Sequence, residues 1–203
     1  MEMNSQKYKI TYILIAINVA VYIYTSVAGG DFLNTSSNMV VLYGQVNGLV
    51  LYYGWYWQLF TSMFVHATIA HIGGNMLFLL IFGLRGEEMF SIPEYLSIYL
   101  LGGLAGNLLS LVLLPLDVPS LGASGAIFAI FGACVIYNRR SVRQSILGAF
   151  VYAFFLLFIS SGPGVNEFAH IGGLLIGLLI GYVLATRRKP STQYTVKYSY
   201  SPF

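Results

Sequence analysis

The chain has 203 residues, of which 57% are hydrophobic and only 8% charged, with a mean hydropathy of +0.74. Soluble domains carry about 25% charged residues, so a chain this poor in charge cannot clothe a water-facing surface, and lipid is its expected solvent. The pI near 8.9 comes from Lys and Arg residues that are clustered rather than spread over one face, which argues against nucleic acid as a partner. The single Cys134 excludes an internal disulfide and any multi-cysteine metal site.

A charge at mid-bilayer costs several kcal/mol, so charge-free windows near 20 residues mark candidate spans. Six such windows follow in chain order: 10–27, 68–84, 95–114, 121–138, 144–160 and 168–186. The first reads as a span rather than a cleaved leader. Residues 32–67 resist the scheme: the half holding Asn34 to Asn38 is too polar to span, and the second half carries Tyr52, Tyr53, Tyr56 and both tryptophans, Trp55 and Trp57. Such aromatics settle at the lipid–water boundary, so this segment reads as a long interfacial loop between the first two helices. The expected fold is therefore an all-α bundle of six transmembrane helices, forming a single membrane domain over 1–203. Its core runs from about 10 to 188, with a loose polar tail over 190–203.

With six spans, both termini share one side with the loops after spans two and four. That side holds all ten Lys and Arg residues, and the positive-inside rule makes it cytoplasmic. The chain reads as a multi-pass protein of a prokaryotic cell membrane.

Three motifs stand at outer helix ends. Span two opens with His66, His71 and Asn75, span four with Gly122-Ala123-Ser124-Gly125, and span six with Ala169-His170-Ile171-Gly172-Gly173 followed by Gly177 and Gly181. Spans two, four and six run in the same direction, so these groups lie at similar depth, Ser124 and His170 each about 5 Å below their helix starts. His71 and Asn75 are four apart and share a helical face. A serine needs a base to take its proton, and a tetrahedral oxyanion needs donors already in place, so the cluster fits acyl transfer. In that chemistry Ser124 is the nucleophile and His170 the base, while His71, Asn75 and the Ser124 amide serve as donors.

Each piece also has an ordinary reading. A lone membrane serine is usually a packing residue, and Gly173, Gly177 and Gly181 read as a helix-packing face. Asn18 and Asn107 read as interhelical hydrogen-bonding groups, and His66 as an interfacial residue. Histidines within spans weigh more, because buried ionisable groups are expensive to keep there without a use.

Together the motifs resemble those of rhomboid intramembrane serine proteases, over about residues 10–188. The residues that carry the likeness are His66, His71 and Asn75; Gly122, Ser124 and Gly125; and Ala169, His170, Gly173 and Gly177. The resemblance implies a Ser124–His170 dyad that cleaves a peptide bond in or beside a transmembrane segment. It also implies membrane-protein substrates entering sideways from the lipid bilayer, and no cofactor. Many family members carry Trp-Arg in the first loop, where this chain has Trp57-Gln58. A tyrosine often follows the serine by four residues and packs on the histidine; here that position is Phe128, which keeps the ring without the hydroxyl.

The rival readings are weaker. A catalytically inactive relative would lack the serine or the histidine. A transporter duplicated three-plus-three would match span two with span five, whereas the repeated Ala-His-Ile-Gly-Gly lies on spans two and six. A metal site built from His66, His71 and His170 lacks a fourth ligand within the membrane. Glu167, three residues before His170, reads as an acid favoured at a helix N-terminus and left in water, not as the third member of a triad.

Overall fold

The computed structural model describes residues 9–141, 151, 162 and 164–187. The expected span over 144–160 and the tail over 190–203 lie outside the described residues. Helix α1 (Lys9–Ala28) leads into a folded loop with three short helices, α2 (Ser37–Tyr43), α3 (Asn47–Tyr53) and α4 (Gln58–Thr61), and a 3₁₀ turn at Ser62–Phe64. Four further helices follow: α5 (Ile69–Met89), α6 (Ile92–Leu113), α7 (Ser124–Ser141) and α8 (Glu167–Arg187). Among the described residues, α1, α5, α6 and α8 are long and apolar enough to cross a membrane, and the apolar part of α7, Ser124–Asn138, is shorter. The protein is an integral membrane protein with an all-helical bundle.

Helix boundaries depart from the apolar windows for local reasons. The helix over span two runs on to Met89 because charge limits the membrane-embedded part of a helix, not the helix itself; Arg85 and Glu88 pair at 2.6 Å on this extension. α6 starts at Ile92 because Ser91 and Glu94 form a capping box with Pro93 in the first turn. α7 starts at Ser124 rather than 121. Residues Pro119–Ser120 form a short strand β2 that pairs antiparallel with β1, Gln45–Val46, and Gly122 then turns the chain at φ +122°.

α7 is the hub of the bundle. From Gly125 to Cys134 every residue is buried, as expected of a helix that is apolar all round. The core around it joins Leu79, Tyr95, Ile98 and Tyr99 to Ala126, Ala129, Ile130 and Ala133. α1 is tied on at both of its ends and along its length. Glu87 accepts from the amides of Ile10 (3.1 Å) and Thr11 (2.7 Å), which satisfies donors that the start of a helix leaves unpaired. Thr11 meets the Tyr95 hydroxyl at 3.0 Å, Asn18 donates to the Tyr99 hydroxyl at 3.3 Å, and Tyr22 donates to the Leu33 carbonyl at 2.7 Å.

Around α7, helices approach until backbones touch. A methyl on Gly173 would land on the Gly125 carbonyl, one on Gly177 on the Ala129 carbonyl, and one on Gly181 against Ala133. The same four-residue rhythm thus runs down both helices, in register. α6 joins from the side: Gly102 faces the Ala129 methyl, and Gly106 and Gly172 face Ala169 and Ala105. Apolar burial gives helices no driving force in lipid, so this close contact is what packs α6, α7 and α8.

The loop is not the irregular surface segment that its polarity suggests. Gln45 Nε2 donates to the Asn107 carbonyl (3.0 Å) and to Asn47 Oδ1 (2.9 Å), and Asn47 Nδ2 donates to the carbonyls of Ser110 (2.9 Å) and Leu114 (3.1 Å). Asn107 Nδ2 reaches the Leu59 carbonyl and Ser62 Oγ, each at 2.8 Å, so this asparagine binds the loop to α6 rather than one long helix to another. Gln58, which stands where the family often has arginine, is fully buried. It donates to the Val41 carbonyl (2.7 Å) and accepts from the Val46 amide (2.9 Å). An uncharged amide therefore does the anchoring here.

Gly177→Ala should cost about 2–3 kcal/mol, the scale of an overpacked core, because the clash is with backbone. Gly73→Ala, where nothing lies within 4 Å, should be neutral or gain up to about 1 kcal/mol in helix propensity. Unfolding midpoints in detergent compare the two directly. Equal midpoints for the two variants would contradict the packing described.

Candidate active site

Ser124 is the first residue of α7, so its amide and the next two have no carbonyl within the helix to donate to. The amides before it are already engaged. Gly122 donates to the Ser62 carbonyl at 2.9 Å, and Ala123 donates to His66 Nε2 at 3.4 Å. Ala123 also accepts from the Ile127 amide at 3.0 Å, which sets the first turn of the helix. The apolar part of α7 spans about 22 Å at ~1.5 Å per residue, some 8 Å short of a ~30 Å hydrocarbon core. The sequence reading placed Ser124 a turn down a longer helix; here it is the first residue of the helix.

His66 is fully buried, not interfacial. Its Nδ1 faces the Phe64 carbonyl at 3.2 Å, which can only accept, so Nδ1 carries the proton and Nε2 is free to accept from Ala123. The two contacts agree on one neutral tautomer. The His66 ring meets His71 edge-on, with centroids 5.1 Å apart. His71 lies in the first turn of α5, where Thr68 caps the helix by accepting from the His71 amide at 3.1 Å. The Ala67 amide approaches His71 Nδ1 at 3.4 Å, so this nitrogen is the acceptor and Nε2 bears the proton. That Nε2 sits 2.9 Å from where a methyl on Gly122 would be, and the same point is 3.9 Å from Ser124 Oγ. Glycine at 122 thus serves twice, by its positive φ and by making room for the His71 ring beside the serine.

One turn further along α5, Asn75 is buried and donates one amide hydrogen to the His71 carbonyl at 3.0 Å. From the other side, α8 brings His170, which is buried and stacked on Phe128 with centroids 4.4 Å apart and planes at 21°. The Phe128 ring therefore sets the plane of the His170 ring without a hydroxyl. Asn166 caps α8 through the Ala169 amide (3.1 Å), and its own amide group reaches Ser110 and Ser120. Gly173 and Gly177 do not line the site; they let α8 lie against α7, and Gly125 is the partner of Gly173.

Ser124, His170, His71, Asn75 and Phe128 all line one cavity of about 260 Å³. Its other walls are Ala70, Gly74, Phe78, Phe82, Ile127 and Val165, which the motif reading did not single out. Ala70, Gly74, Phe78 and Phe82 recur every four residues beside the His71–Asn75 face, so helical periodicity carried the signal. A serine hydroxyl, two histidines and an amide thus share one otherwise apolar pocket. His66 stands behind it and orders the loop and the turn that enter it. No group of three or more His, Cys, Asp or Glu residues able to hold a metal occurs among the described residues.

A family profile described as Rhomboid domain matches residues 53–187. The chain is similar to Rhomboid protease GluP of Bacillus subtilis (strain 168), 31% identical over 86% of this chain and 34% of that protein. It is also similar to RHOMBOID-like protein 6, mitochondrial, of Arabidopsis thaliana, 37% identical over 63% of this chain and 43% of that one. Rhomboid-like protease 3 of Toxoplasma gondii is 35% identical over 61% of this chain and 50% of its own. The chain thus spans between about a third and a half of the length of these curated relatives. The profile covers most of the chain, and every residue that lines the cavity lies within it, so the protein belongs to the rhomboid family.

Proposed function

We propose that the protein is a serine endopeptidase that hydrolyses peptide bonds in or beside transmembrane segments of membrane-protein substrates, through a Ser124–His170 dyad. The observation that carries this reading is the shared cavity. Ser124, His170, His71 and Asn75 all line it, at the end of the bundle where α5, α7 and α8 begin, and its remaining walls are largely apolar. Family membership supports the same chemistry. The clustering of basic residues supports cytoplasmic termini and a cavity that opens to the opposite side.

In this mechanism His170 Nε2 takes the Ser124 hydroxyl proton as Oγ bonds to the scissile carbonyl carbon. The carbonyl oxygen becomes an oxyanion. The His71 Nε2–H, the second Asn75 N–H and the Ser124 amide donate to it. When the C–N bond breaks, His170 passes its proton to the departing amine, leaving an ester on Ser124. Water then attacks that ester with His170 again as base, which releases the new carboxyl end and restores the serine. Phe128 keeps the base in plane, and the apolar walls limit access of water to the ester.

Two outcomes are expected with purified protein in vesicles and a reporter transmembrane substrate. Ser124→Ala and His170→Ala should each abolish nearly all cleavage, and the double variant should be little worse than either, because the pair acts as a unit. Full cleavage by Ser124→Ala would refute the nucleophile. Asn75→Ala should lower kcat by about 10²–10³ with substrate binding nearly unchanged. Weakened binding at constant kcat would make Asn75 a substrate-recognition residue instead.

A further inference from the structure

His170 must present Nε2 to Ser124 as a base, so Nδ1, on the far edge of the ring, must carry the proton. Nδ1 is buried and makes no hydrogen bond. A buried N–H with no acceptor costs about 1–3 kcal/mol, which would push the ring toward the wrong tautomer or a rotated position. Phe128 fixes the plane of the ring but offers nothing to either nitrogen.

The group facing this edge is Glu167, one turn earlier on α8. Its Oε2 lies 3.7 Å from His170 Nδ1, just beyond hydrogen-bond range, and its Oε1 is buried with no partner. The side chain is about one-third exposed, so part of the carboxylate meets solvent while Oε1 does not. Two unsatisfied buried polar atoms, one donor and one acceptor, thus belong to side chains that already face each other on neighbouring turns. Closing the 3.7 Å gap would give the ring N–H a carboxylate acceptor.

We propose that Glu167 is a positioning residue for His170, its carboxylate accepting the Nδ1 proton and so holding the ring in the tautomer that leaves Nε2 free as a base. The proposal rests on the Ser124–His170 reading and deepens it: the dyad's base is oriented by a group from its own helix. Asn166 assists by capping the helix start through the Ala169 amide, which leaves the Glu167 carboxylate uncommitted to the cap.

The chain has three histidines, so ring nitrogen signals of ¹⁵N-histidine-labelled protein in detergent are assignable by comparison with His170→Ala. Wild type should show His170 with its proton on Nδ1 in a hydrogen bond to a carboxylate, and Glu167→Ala and Glu167→Gln should both lose that signature. In the reporter assay the same two variants should lower kcat by about 10²-fold or more, toward the ~10⁴ seen when a triad acid becomes its amide, with KM within about threefold. Glu167→Asp should recover part of both signals. Unchanged ring signals and kcat in Glu167→Gln would overturn the proposal, as would a loss of kcat that only follows a lower unfolding midpoint while the ring signals stay as in wild type. The ring spectrum needs no turnover. A failed Ser124→Ala test with an intact Glu167-dependent signature would therefore sink the protease reading and leave the contact standing.

Discussion

The site depends on one constraint: α7 and α8 must touch backbone to backbone. The serine and histidine sit in the first turns of these two helices, so their separation is set by the contact of Gly125, directly after the serine, with Gly173, one turn beyond the histidine. The contact repeats down the helices at Gly177 with Ala129 and Gly181 with Ala133, which prevents the pair from splaying. Any side chain at these glycines would drive Ser124 and His170 apart. A displacement of about 1 Å can cost about 10²-fold in rate, so packing far from the chemistry controls it.

A second layer of order comes from uncharged amides. Gln45, Asn47, Gln58 and Asn107 are buried, and all four hydrogen-bond to backbone groups of the loop, of α6 and of its end, with two further bonds to the Asn47 and Ser62 side chains. This network holds the loop against the turn that precedes Ser124. The Gln45–Ser120 pairing joins the two directly, and His66 reaches the Ala123 amide from the loop's far end. In a low-dielectric setting each of these bonds is strengthened, so the network stiffens the elements it joins. The loop is thereby part of the frame of the site and not merely a cover over it.

Much of this was legible in the sequence. Charge-free windows located the long helices, and the positions of His71, Asn75, Ser124 and His170 at the same ends of three helices pointed to one cluster. Three features were not. The late start of α7 depends on a two-residue strand pairing and on a glycine at positive φ, neither of which leaves a hydropathy trace. The burial of His66 depends on partners at Phe64 and Ala123, distant in sequence in the second case, so a histidine at a loop end looked interfacial. Gln58 looked like a lost arginine anchor because the value of an amide depends on which backbone groups face it, here Val41 and Val46. Hydrophobic patterning identifies what is embedded; it does not say which buried polar groups find one another.

The account turns on Ser124 being the activated nucleophile. The most direct measurement is to treat the detergent-solubilised protein with a fluorophosphonate and map the adduct by peptide mass spectrometry, in wild type and in His170→Ala. The account predicts one adduct per chain, on Ser124, in wild type and almost none in His170→Ala, because the hydroxyl reacts only when the histidine takes its proton. An adduct on another residue, or equal labelling of Ser124 without His170, would contradict it.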